Sequence, residues 1–268
     1  MALGFIGTGN IAAAVVSGLC ASDRPPARVL LSPRNADKAA ALAAAFAQVA
    51  VADDNQAVID GSDTVVLAVR PQVAREVLAP LAFRAEQEVV SLLALTPLET
   101  AREMVAPARR VVRALPLPSC ARRLGPVVVY PAEPAAMDLF ARVGAVLAAG
   151  DEREFNVLWS LTALIAPYFA LIAEGAGWAA NAGVAPATAG TYLTAMFHAL
   201  SVLAAEVRDG DFDPLIREAA TPGGLNEQAL GAIRAAGGYA AFLAALDSIL
   251  ARLGEDVPAR AAAKEGGA

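Results

Sequence analysis

The feature that most restricts the fold of this chain lies within its first twelve residues. Leu3–Gly7 is a short apolar run that reads as a strand. Gly7-Thr8-Gly9-Asn10-Ile11-Ala12 follows at once and opens a segment of helical periodicity, Asn10–Ser22. In a G-x-G-x-x-A turn between strand and helix, the first glycine permits the tight turn and the second lets backbone approach a pyrophosphate. The small third residue lets the helix pack close on the strand. Amides at such a helix start face phosphates. Gly7, Thr8, Gly9, Asn10 and Ile11 are therefore expected to bind a dinucleotide. The alternative is a structural glycine-rich turn in an unrelated α/β protein.

The next hundred residues repeat the same alternation. Arg28–Ser32, Val49–Ala52, Thr64–Val69, Glu88–Leu93, Val111–Leu115 and Val127–Tyr130 read as strands, with helical segments such as Asp37–Ala47 and Gln72–Leu81 between them. Continuous apolar strands alternating with helices indicate a parallel sheet covered on both faces. The expected class is α/β: a Rossmann-type doubly wound parallel sheet, followed by an all-α domain. From about Asp151 only helices remain, in Pro186–Arg208, Asp213–Ala219, Asn226–Ala236 and Tyr239–Leu253. The expected organisation is a dinucleotide-binding domain over 1–150, a helical dimerisation and substrate domain over 151–255, and a flexible tail over 256–268.

Composition narrows the function classes. A net charge of −6 and a pI near 4.9 speak against nucleic-acid binding, which rests on clustered Lys and Arg. Two cysteines, Cys20 and Cys120, and one histidine, His198, cannot build a disulfide scaffold or a multi-ligand metal centre, so no metal is expected. A mean hydropathy of +0.50 raises the membrane question. Phe155–Ala173 is uncharged and long enough to span, but Asn156, Ser160, Thr162 and Pro167 interrupt it and no Lys/Arg cluster flanks it. The N-terminus lacks the basic region and continuous apolar core of a signal peptide. The uncharged helices are instead expected to be buried, in a helical core or a subunit interface, in a cytoplasmic protein.

The end of the second strand bears on the choice of cofactor. NAD sites place an acidic residue there for the ribose 2′-hydroxyl, whereas NADP sites accommodate a 2′-phosphate with Arg. The chain offers Ser32-Pro33-Arg34-Asn35 and Lys38, with no carboxylate before Asp37. NADP(H) is favoured, the alternative being an ordinary solvated Arg34.

Taken together, these residues resemble the Δ1-pyrroline-5-carboxylate reductase family, whose members reduce a cyclic imine to proline. Residues 4–12 are similar to the family's GFIGxGNMA opening. Ser32 and Arg34 match its S-x-R at the 2′-phosphate, and Asn55 falls on an Asn near the cofactor ribose. Ala68-Val69-Arg70-Pro71-Gln72 resembles AVKPQ, which borders the nicotinamide half. Thr221-Pro222-Gly223-Gly224 resembles the SPGG loop of the helical domain. The departures gather around the substrate. R-x-MPNTP becomes Arg113-Ala114-Leu115-Pro116-Leu117-Pro118-Ser119, with Leu117 in place of Asn. SGSGPAY corresponds to residues 162–168, which keep Tyr168 but lose both glycines. Two small residues after SPGG become Leu225 and Asn226.

The resemblance implies hydride transfer from NADP(H) to the C=N bond of a small cyclic imino acid, in a homodimer or higher homo-oligomer. The imine is basic enough to be protonated near neutral pH, so no strong side-chain acid is needed. Pro222–Asn226 leads into a helix whose free amides suit a carboxylate without any cationic side chain. Gly223, Gly224 and Leu225 are the substrate-binding candidates, with Thr221 and Asn226 catalytic. The Asn226 amide is a donor to the carboxylate or imine nitrogen, unless it is simply a helix N-cap. A β-hydroxyacid dehydrogenase would use a helical-domain Lys, and none lies between Lys38 and Lys264. An NADP-binding sensor without catalysis is the other alternative. Elsewhere, His198 is expected as a satisfied core histidine, Glu174 as a buried paired carboxylate, and Trp159 and Trp178 as core or interface residues. Tyr168 fits core or pocket equally.

Overall fold

Apolar runs of three to six residues, too short for helices, line up as the strands of one sheet in the computed structural model, which describes residues 2–257. They are β1 (Ala2–Ile6), β2 (Arg28–Leu31), β3 (Val49–Val51), β4 (Thr64–Leu67), β5 (Glu88–Ser91), β6 (Arg110–Leu115), β7 (Pro126–Tyr130) and β8 (Ala145–Ala148), in the spatial order β3-β2-β1-β4-β5-β6-β7-β8. β1 through β6 are parallel, whereas β7 runs antiparallel to β6 and β8 follows β7. The order reverses at β1, and α/β sheets bind ligands at such a switch point.

Six helices cover this sheet: α1 (Asn10–Cys20), α2 (Ala36–Ala45), α3 (Asn55–Asp60), α4 (Pro71–Leu78), α5 (Leu98–Met104) and α6 (Pro134–Ala141). On one face, α1, α2 and α6 bury Val15, Val16, Leu42, Leu139 and Phe140 against Phe5, Leu31, Val66 and Val112. On the other, α3, α4 and α5 bury Ile59, Leu78 and Ala101 against Ile6, Leu67, Val89 and Val111. Contact between α1 and the 3-10 turn Pro118–Arg122 depends on Gly18. A Cβ there would lie 2.0 Å from the Cys120 carbonyl oxygen, inside any allowed contact.

The chain divides into two compact units after Trp159, later than the expected 150/151 boundary. The reason is α7 (Glu152–Leu161), whose Phe155 and Trp159 pack on Arg113 of β6. Its start is closed reciprocally: Asp151 Oδ1 accepts from the Glu154 amide and Glu154 Oε2 from the Gly150 amide, each at 2.7 Å. The second unit carries α8 (Ile165–Asn181), α9 (Pro186–Ala204), α10 (Asp213–Ala219), α11 (Leu225–Ala235) and α12 (Gly238–Arg252). Apart from Asp256 and Val257, the expected tail lies outside the described residues.

The expected doubly wound, mostly parallel sheet is present, with β7 reversed within it; β8 is unmarked in the sequence because Ala-Val-Leu-Ala carries one β-branched residue. Two expectations are corrected. Among the described residues the apolar helices are not buried in a core: Trp178 is 75% exposed and Tyr192 70%. His198 and Glu174 are likewise exposed on α9 and α8.

At the lower edge of the sheet, Glu88 is 6% exposed and its Oε1 has no hydrogen-bond partner among the described residues. Burial pushes this carboxyl above the usual carboxylate range; Arg110 opposes the shift and Glu133 adds to it. A raised folded-state pKa favours folding at low pH and loses that contribution as pH rises through it. Glu88→Gln is therefore expected to raise the thermal midpoint at pH 8, and the gain should vanish toward pH 4.5. Wild-type and variant melting curves at the two pH values check this.

Candidate functional site

The carboxyl ends of β1, β2 and β4 surround a cleft of about 510 Å³, within the usual range for small-molecule sites. Gly7 turns the chain at φ +98°, and a Cβ there would sit 2.7 Å from the Ala68 carbonyl oxygen. Only glycine satisfies both demands. Beyond it, α1 begins at Gly9 with no side-chain cap and no acidic residue in its first turn. Its leading amides and the positive end of its dipole are left for an anion.

Four hydrogen bonds brace this turn from below. The Gly7 amide donates to Ser32 Oγ at 2.8 Å, Thr8 Oγ1 to the Ser32 carbonyl at 3.1 Å, and Asn35 Nδ2 to the Thr8 carbonyl at 3.0 Å. Lys38 Nζ donates to Asn10 Oδ1. Ser32 is 1% exposed, so its hydroxyl lies beneath the loop and supports it. Of the expected cofactor residues, Gly7, Thr8, Gly9, Arg34, Ala68, Val69 and Arg70 line the cleft. Asn10 and Ile11 form the first turn of α1, and Pro71 opens α4. Asn55 begins α3, capped by Asp54, outside the lining. Asn35 and Asp37, at the end of the second strand, also line the cleft, as do Ala36 and Val73, which the sequence does not mark. Arg34 and Arg70 are exposed, and neither forms an ion pair with any described residue. The residues present thus fit a phosphorylated dinucleotide: a glycine turn, an uncapped helix start and two uncommitted guanidinium groups.

Further along the same sheet edge stands a buried cation. Arg113, with its side chain 3% exposed, donates to Glu152 Oε1 at 2.6 Å and Asn156 Oδ1 at 3.1 Å. Its guanidinium carbon lies 4.4 Å from the Phe155 ring centroid and 5.3 Å from that of Trp159. Glu152 Oε1 also accepts the Leu98 amide at 2.6 Å, tying the start of α5 to the cluster. This three-way tie is not legible from residue order, because Leu98, Arg113 and Glu152 lie far apart along the chain.

In the helical unit, Thr221–Gly224 forms a turn closed by the Gly224 amide on the Thr221 carbonyl at 2.9 Å. The Gly223 amide donates to Glu227 Oε2 at 2.7 Å. Two amides expected to be open are thus used within the loop, leaving the uncapped first turn of α11 at Leu225 and Asn226. Gly224 is the N-cap, so the N-cap reading of Asn226 is overturned; Asn226 Nδ2 donates to the Ala219 carbonyl at 3.2 Å. Tyr168 packs against Phe169 and Phe197, with ring centroids at 5.6 and 5.8 Å.

Comparison with known proteins agrees with this geometry. Residues 2–95 match the family model described as NADP oxidoreductase coenzyme F420-dependent. The pyrroline-5-carboxylate reductase of Pseudomonas aeruginosa is 31% identical over 266 residues, covering 94% of this chain and 96% of that protein. Among solved structures, 1-pyrroline-5-carboxylate reductase from Streptococcus pyogenes is 23% identical with a TM-score of 0.82, over 94% of this chain and 98% of that one. The Plasmodium falciparum pyrroline carboxylate reductase, solved with NADP bound, is 16% identical with a TM-score of 0.80, over 94% and 97% of the two chains. A switch-point cleft with this glycine turn defines a pyridine-nucleotide-dependent oxidoreductase with a Rossmann-type unit and a carboxy-terminal helical region. Within that class, the chain belongs to the pyrroline-5-carboxylate reductase family.

The brace makes Ser32 a positioning residue. Ser32→Ala is expected to cost about 1–3 kcal/mol of stability, the usual penalty for stranding a buried donor. It should weaken NADPH and NADH binding alike. Thermal denaturation and fluorescence titration with both nucleotides test this; a loss confined to NADPH would make Ser32 a 2′-phosphate ligand instead.

Proposed function

We propose that this protein is an NADPH-dependent reductase of a cyclic imine, pyrroline-5-carboxylate or a close analogue, acting by hydride transfer to C=N. The observation that carries this reading is the cleft at the sheet's switch point, where left-handed Gly7 and the uncapped start of α1 stand beside the uncommitted guanidinium of Arg34. Bound NADPH supplies the hydride. Arg34 takes the 2′-phosphate as a bidentate donor, and Ala68–Pro71 border the nicotinamide half. The substrate carboxylate falls to the Thr221–Asn226 loop, through the first-turn amides of α11. Asn226, with a second amide proton beyond the one given to Ala219, is the donor for the carboxylate or imine nitrogen. Protonation of the imine by water suffices near neutral pH, so the chemistry needs none of the lysine that this region lacks.

A panel of cyclic imino acids mixed with purified protein and NADPH tests the reading through loss of nicotinamide absorbance. Tight NADPH binding with no turnover on any of them would favour a catalytically silent sensor. Arg34→Ala is expected to raise KM for NADPH by about ten- to a hundred-fold, the equivalent of losing one charged hydrogen bond, and to leave NADH nearly untouched.

The same reading makes the protein a cytoplasmic homodimer or higher homo-oligomer, joined through the helical unit. Phe169, Leu171, Trp178, Tyr192 and Leu203 are more than half exposed on α8 and α9. Apolar patches of that kind mark protein interfaces. The run Glu152–Asn181 is long and apolar enough to cross a membrane; the charged start at Glu152-Arg153-Glu154 and the exposed aromatic rings fit a subunit contact better. Trp178→Glu is expected to shift the protein toward monomer, as read by sedimentation velocity.

A further inference from the structure

At the far end of α1 from the glycine turn, three arginines gather round a second, smaller cavity. An eleven-residue helix separates the two places, a length of roughly 16 Å. The cavity measures about 180 Å³ and is lined by Ser22, Asp23, Arg24, Arg123, Ala141 and Arg142, all within the amino-terminal unit. Three elements supply the arginines. Arg24 lies in the turn after α1, Arg123 closes the 3-10 turn Pro118–Arg122, and Arg142 caps the end of α6. Asp138 of α6 bridges two of them: its Oδ1 accepts from Arg24 Nη1 at 2.7 Å and its Oδ2 from Arg142 Nη2. Hydrogen bonds from Arg142 and Arg24 hold this carboxyl below the usual carboxylate range, so the bridge stays charged. Arg142 Nη1 donates to the Arg24 carbonyl at 3.1 Å.

This arrangement leaves donors over. The Arg142 side chain is 15% exposed, and its Nε is buried without a hydrogen-bond partner among the described residues. A charged donor withdrawn from water and left unmatched is costly and uncommon. Arg123 has only Asp23 beside it, at 3.5 Å, and the Asp23 side chain is fully exposed. Such a pair contributes little and parts easily. Arg123 also adopts φ +58°, a left-handed conformation that arginine rarely takes and that gathers at functional sites. Arginines near helix ends often serve the last carbonyls. Here, among the described residues, none of the three donates to a carbonyl of α1 or α6.

We propose that Arg24, Arg123 and Arg142 form a binding site for a phosphate group, separate from the dinucleotide cleft and independent of the imine-reductase reading. With Asp23 turned to solvent, three guanidiniums face the one carboxylate of Asp138, and the two positive charges left over match a phosphate dianion. Guanidinium forks on three separate elements suit the several oxygens of a phosphate better than the two of a carboxylate. The cavity is smaller than the roughly 300–1,000 Å³ that encloses a whole small molecule. It therefore takes the phosphate alone, as the free ion or as the end of a larger monoester.

The test reads thermal midpoints in inorganic phosphate and in glucose 6-phosphate, each against chloride at equal ionic strength, with and without saturating NADPH to occupy the cleft. The wild-type midpoint is expected to rise with phosphate under both conditions, as for a ligand that binds only the folded state. A rise with both probes assigns the site to the phosphate group as such, and a rise with inorganic phosphate alone to the free ion; either supports the proposal. Arg123→Asn, which suits the left-handed backbone, and Arg24→Gln are each expected to weaken phosphate binding about ten- to a hundred-fold, the loss of one charged hydrogen bond. Both side chains are substantially exposed, and the midpoint of each variant in chloride shows that it folds. No rise beyond chloride, a rise abolished by NADPH, or a rise unchanged in both variants overturns the proposal.

Discussion

No tetrahedral carbon fits between Gly7 and the Ala68 carbonyl, and that single exclusion organises the amino-terminal unit. It brings the turn after β1 against the end of β4, which sets α1 at the switch point with its first amides unengaged. Ser32 then fixes the turn from β2, so three strand ends converge on one small loop. The cleft is a by-product of this convergence. Its walls are backbone and short side chains, and the groups that would meet charge, Arg34 and Arg70, stand at its rim.

A second constraint acts at the other end of the same edge. An arginine removed from water is tolerable only when its donors are satisfied, and Arg113 meets that demand with a carboxylate, an amide and two ring faces. The cluster joins β6, α5 and α7, which is why the compact sheet unit continues into α7 beyond the last strand.

Much of this was legible in the chain itself. Seven strands, the glycine turn and the helices from Pro186 onward announce themselves through β-branched runs, periodicity and Gly/Pro punctuation. β8 did not, because alanine and leucine carry no strand preference. Ser32 was recognisable as important, but whether its hydroxyl faces a ligand or the loop depends on burial, which residue type does not encode. The same holds for Gly223, whose amide is occupied by Glu227 one helical turn later. His198 and Glu174 are illegible for a different reason: apolar neighbours along a helix do not say whether the covering surface comes from the same chain.

The scarcity of lysine has a practical consequence at the cleft. Among the described residues Lys38 is the sole lysine, and its amine is hydrogen-bonded to Asn10 in the first turn of α1. Acylating reagents that modify side-chain amines therefore meet one described target, beside the loop where the dinucleotide would lie. Its labelling rate becomes an intrinsic gauge of whether that loop is occupied, obtained without introducing any foreign probe.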